Sequence, residues 1–164
     1  MKDKTTASFE LALTPLQSEW SLTLLQLLNW INLSDCLNLD ECDSLINKKI
    51  SDRYSDVHGS EDFYAAVETI FEVSGEPKES FLDMRLFDAD ETPNGIKIYG
   101  QYIAEDFLAA FVQVIIKRFN LNAKGYSIAN YCDDLLVDSF GGSAFYITSS
   151  EIRSINTQAW LDSK

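Results

Sequence analysis

Basic residues are missing from a long stretch near the start of this chain: no lysine or arginine lies between Lys4 and Lys48, while Glu10, Glu19, Asp35, Asp40, Glu41 and Asp43 do. Over all 164 residues, 13 bases stand against 26 acids, a formal net charge of -13. Such a field repels nucleic acid and anionic membranes and attracts basic protein surfaces or cations. Cysteine is scarce as well. Cys36, Cys42 and Cys132 are odd in number and form no closely spaced pair, which excludes a disulfide framework or a zinc ribbon read from spacing. No apolar run reaches the length of a membrane span, and the polar start Met1 to Ala7 lacks the apolar core of a signal peptide. These features lead us to expect a reduced, cytoplasmic protein, with residues 1–7 flexible.

What is present is globular: 46% hydrophobic and 12% aromatic residues against 24% charged. The length suits a single globular domain over 1–164. Ser8 to Leu13 alternates as a strand, and Thr14-Pro15-Leu16-Gln17 reads as a capping box with proline at the first helical position. The helix it opens should run to about Asn32. Its apolar face comprises Leu16, Trp20, Leu24, Leu27, Leu28 and Ile31, near a heptad spacing. A short helix is expected over Asp40 to Arg53, and another from Ser60 with the stripe Phe63, Ala66, Val67, Ile70 and Phe71, ended by Gly75.

The second half changes period. Phe81 to Asp88 and Ile96 to Ile103 alternate about Asn94-Gly95, a strong hairpin signal. A helix from Glu105 and Asp106 to Lys117 and Arg118 has charges matched to its dipole at both ends, and Gly125 is expected to break it. Strands follow at Tyr126 to Tyr131 and Ser143 to Thr148, with Phe140-Gly141-Gly142 as a turn. Thr148-x-x-Glu151 reads as a second capping box, opening a last helix with Ile152, Ile155 and Trp160. The expected fold class is α+β: a small antiparallel sheet of about four to five strands packed with about four to five helices.

No catalytic signature emerges. His58 has no nucleophile-elbow pattern beside it and reads as a polar loop residue. Together with the three cysteines it supplies zinc-binding atoms without zinc-site spacing. Asp88 to Gly95 evokes a calcium loop, but Pro93 and Tyr99 occupy the positions that need glycine and glutamate, so a solvated hairpin loop is the better reading. Phe140-Gly141-Gly142-Ser143 lacks the lysine and glycine spacing of a phosphate-binding loop. Asp133, Asp134 and Asp138 could supply paired carboxylates for acid–base or metal-assisted chemistry, but no other catalytic partner points to them and an acidic loop between two strands explains them equally well.

Phe140-Gly141-Gly142-Ser143-Ala144, the run Phe145-Tyr146-Ile147-Thr148 and the ending Asn156-Thr157-Gln158-Ala159-Trp160-Leu161 resemble the tails of small uncharacterised bacteriophage and mobile-element proteins. Those tails carry a third glycine where this chain has Ser143. The resemblance covers the last quarter of the chain and implies a mobile-element origin but no activity.

The expectation is a non-enzymatic acidic protein without cofactor or metal. It would bind a basic protein surface, in its sharpest form a nucleic-acid-binding host defence factor blocked by charge mimicry. The carboxylates to carry this are Asp35, Asp40, Glu41, Asp43, Asp88, Asp90, Glu91, Asp133, Asp134 and Asp138. Alternatives are a small carboxylate- or metal-dependent hydrolase, and a homodimer or assembly subunit paired through the first helix.

Overall fold

The computed structural model describes residues 3–33, 60–75, 87–132 and 140–156. In chain order the elements are β1 (Asp3–Ala12), α1 (Pro15–Leu33), α2 (Ser60–Ser74), β2 (Asp88–Thr92), β3 (Gly95–Gly100), α3 (Glu105–Phe119), β4 (Lys124–Cys132), β5 (Phe140–Ile147) and β6 (Ile152–Asn156). The strands form one antiparallel sheet in the order β2-β3-β1-β4-β5-β6. Order and direction of the first four match a split β-α-β arrangement, and β5 and β6 extend it as a meander. The α+β class therefore holds. The counts differ: six strands and three helices among the described residues, against about four to five of each expected.

Alternation along the strands separates two faces. Ala7 and Leu11 of β1, Ile96 and Ile98 of β3, Tyr126 and Ile128 of β4, and Phe145 and Ile147 of β5 are buried on one side. Three aromatic rings cross that side in register: Phe9 stacks on Tyr126 at 4.3 Å, and Tyr126 on Phe145 at 5.4 Å. α3 crosses the same side with Phe107, Leu108, Phe111, Val112, Ile115 and Ile116 all buried. α2 packs on α3 through Phe71 and Phe107, and α1 reaches β2 and β3. Ser8, Glu10, Lys97, Ser127, Ala129, Ala144, Tyr146 and Ile155 form the opposite, exposed face.

Local chemistry explains much of this. The Thr14 amide donates to Gln17 Oε1 at 3.0 Å and the Gln17 amide to Thr14 Oγ1 at 3.3 Å, a reciprocal box that starts α1. Gly95 sits at φ +154, and a Cβ there would collide with the Leu11 carbonyl oxygen, so the β2–β3 turn requires glycine.

Several expectations are corrected. The segment 1–7 is not simply a flexible lead: from Asp3 onward it is strand, paired with Cys132 to Ala129 of β4. Leu16 does not join the α1 face and is 79% exposed; Ser18 and Ser21 are buried instead. Small side chains at those positions let the helix approach closely, and Ser21 Oγ donates to the Gln17 carbonyl at 2.8 Å. Among the described residues the first hairpin strand is the acidic segment Asp88–Thr92, paired along its length with β3, and residues 81–86 of the run expected to lead into the turn lie outside the described residues. The α3 helix ends before Gly125, at Asn120 in the left-handed region (φ 52, ψ 50), and Gly125 lies inside β4. Gly141 and Gly142 are not a turn: they pair with Asn130 and Ala129 within β5.

The helix expected after Thr148 is strand β6 where described. Thr148 Oγ1 does accept from the Ser150 and Glu151 amides, at 3.2 and 3.0 Å. The same hydroxyl chemistry that caps a helix here closes the β5–β6 hairpin, aided by the Thr148 amide donating to the Glu151 carbonyl at 2.9 Å. Trp160 and the helix expected over Asp40 to Arg53 lie outside the described residues.

Candidate functional site

The exposed sheet face divides along its length. At the β2 end it is charged. Cross-strand pairing sets Asp90 beside Lys97 and Lys97 beside Glu10, one base between two acids in a row over three strands. Tyr99 lies opposite Asp88 in that pairing, and its hydroxyl donates to Asp90 Oδ2 at 3.0 Å. That hydrogen bond, with the charges of Asp90 and Asp88, raises the Tyr99 phenol above its ordinary value. Thr92 Oγ1 donates to Glu10 Oε1 at 2.7 Å. Glu91 is exposed on the other side of β2, opposite Ile96. Asp88, Asp90 and Glu91 thus share a sheet edge rather than a hairpin loop, with Asp88 and Asp90 on one face and Glu91 on the other.

The other proposed acidic groups are not brought into this picture. Asp35, Asp40, Glu41, Asp43, Asp133, Asp134 and Asp138 lie outside the described residues, as do His58, Cys36 and Cys42. Among the described residues no group of three or more His, Cys, Asp or Glu side chains is arranged to hold a metal ion.

At the β6 end the same face is nearly uncharged. Ser127, Ala129, Gly142 and Ala144 floor a shallow, open hollow of about 430 Å³ beside Ile155. Tyr146 and Ile155 are 52% and 49% exposed there. The Arg153 side chain is paired with Glu151, its guanidinium reaching the carboxylate at 2.9 Å.

One group escaped the reading of the sequence, and it lies under the helices. Glu105 begins α3, and burial pushes its carboxyl above the ordinary range; neighbouring Asp106 adds to this, and a hydrogen bond from Ser143 opposes it. Glu105 Oε1 is buried without a hydrogen-bond partner, as is the Tyr126 hydroxyl. Burial also drives the Tyr126 phenol strongly upward, with Glu105 and then Asp106 contributing. Nothing local could have revealed this: Glu105, Tyr126 and Ser143 come from α3, β4 and β5. In the sequence Glu105 reads only as an acid matched to a helix dipole.

Among the described residues no helix is long and apolar enough to cross a membrane. The chain matches no protein-family model, no curated protein and no solved structure.

Proposed function

We propose that this protein is a non-enzymatic acidic binder of a basic protein surface. The observation that carries this reading is the net charge of -13, together with a sheet edge bearing three carboxylates within five residues, Asp88 to Thr92. Carboxylates spaced along an extended strand meet a basic cleft much as phosphates do, and attraction of this kind steers encounter and weakens with salt. In its specific form the partner is a nucleic-acid-binding host factor, and the chain competes with nucleic acid for its basic cleft. The likeness of the C-terminal quarter to bacteriophage and mobile-element tails supplies a setting for such an inhibitor.

Affinity capture from the source cell, at low and at high salt, tests the reading. A basic partner retained at low salt and released at high salt supports it; retention indifferent to salt contradicts it. The alternative of pairing through α1 loses its motivation, because Leu24, Leu25, Leu27 and Leu28 are buried in the chain's own core.

A further inference from the structure

We propose that the β4–β6 part of the exposed sheet face binds a second copy of this chain, each copy seating Ile155 in the hollow of the other. The first support is that both halves of such a contact lie on one patch. Register puts Ser127 beside Ala144, Ala129 beside Gly142, and Ala144 beside Ile155 on the same face. The hollow is therefore floored by side chains no larger than serine, and a large apolar side chain stands at its rim. Tyr146, two residues beyond Ala144, closes one end, its ring 3.9 Å from where a Cβ at Gly125 would lie. Ile155 and Tyr146 are both exposed. A two-fold contact needs one patch to complement itself, and a knob beside a hole does so.

The second support is charge. Two copies that each carry a formal net charge of -13 repel, so they can meet only where charge is missing. Ser127, Ala129, Gly142, Ala144, Tyr146 and Ile155 are uncharged, and Arg153 beside Tyr146 is paired with Glu151. The acids of β2 stand four strands away from β5, about 19 Å at the usual strand spacing of about 4.8 Å. With the two-fold axis along the strands, the two β2 edges point in opposite directions and lie several Debye lengths apart at physiological salt. A basic partner finds no unpaired acid in this hollow. An acidic one meets the same repulsion without the matching knob.

The overlap of two half-sheets is small beside a standard interface, so the dimer is weak and reversible. Repulsion between the rest of the two molecules opposes the contact, so salt strengthens it. That sign is opposite to the one for acid-mediated binding of a basic partner, and either reading can fail while the other stands.

The test is sedimentation equilibrium of the whole chain at about 100 μM, where weak dimers populate, at low and at high salt. The wild type is expected to approach twice its 18.5 kDa, with a dimer dissociation constant that falls as salt rises. Ala144→Asp places a carboxylate on the floor of the hollow and should weaken the dimer about tenfold or more. Ile155→Ser removes the knob without adding charge and should weaken it as well. Both positions are exposed, and far-UV circular dichroism checks that each variant folds. A wild type that stays at 18.5 kDa under both conditions overturns the proposal and leaves the face to another occupant. So does a dimer that weakens with salt, or one that the folded variants form as tightly as the wild type.

Discussion

The two ends of the sheet are built alike and finished differently. Each is an antiparallel hairpin added to the central pair β1 and β4: β2–β3 on one side, β5–β6 on the other. Each lays buried residues on the helix side, Ile96 and Ile98 at one end, Phe145 and Ile147 at the other. Their edges differ. The strand β2 places three acids in five residues, whereas β6 offers Arg153, already paired with Glu151, and the exposed Ile155. Charge on an edge strand discourages pairing with a further strand, so the β2 acids serve solubility whatever else they meet. The contrast teaches that net charge is not spread evenly over the exposed face. It gathers at one end and leaves the other small and apolar.

The largest effects should come where the ends are alike. Ile98→Ala and Ile147→Ala remove fully buried side chains, and each should cost about 2–5 kcal/mol in denaturant unfolding. A loss below about 1 kcal/mol at one end alone would show that hairpin to be peripheral to the shared core. Glycine substitutions should separate the ends. Gly95→Ala meets the Leu11 carbonyl and a backbone at φ +154, so a loss of about 1–3 kcal/mol is expected from the strain. An alanine Cβ at Gly141 has open space and the backbone is extended strand, so Gly141→Ala should gain about 0.4–1 kcal/mol. Thermal melts of the two variants read the opposite signs directly. The smallest effect belongs to the charged row. Asp90→Asn should leave stability within about 0.5 kcal/mol. It should also bring the Tyr99 phenol back toward its ordinary value in a spectrophotometric titration, since Asp90 is the main cause of its rise.

The same comparison shows what was legible in the sequence. At one end Asn94-Gly95 marked its turn, and the Leu11 carbonyl of neighbouring β1 leaves no room for a Cβ at Gly95. Yet the strand leading into it was missed. Asp88-Ala89-Asp90-Glu91-Thr92 has poor strand propensity and is held by cross-strand pairing, which no local pattern records. At the other end Thr148 and Glu151 imitated a helix start, because a threonine hydroxyl accepting from amides two and three residues on serves a hairpin turn equally well. The helices were plainer. The box of Thr14 and Gln17 and the terminal charges of α3 appear as expected, since both depend on neighbours within one turn. Glu105 and Tyr126 lie on α3 and β4, so the burial of Glu105 Oε1 and the Tyr126 hydroxyl had no sequence signal at all.

The central claim is that the acids at the β2 end meet a basic protein partner. It is tested most directly by the salt dependence of partner binding in wild type and in the triple variant Asp88→Asn, Asp90→Asn, Glu91→Gln. The account predicts that wild-type binding falls steeply as salt rises, and that the variant binds more weakly at low salt with a shallower slope. Equal affinity and equal slope in the two proteins would contradict it.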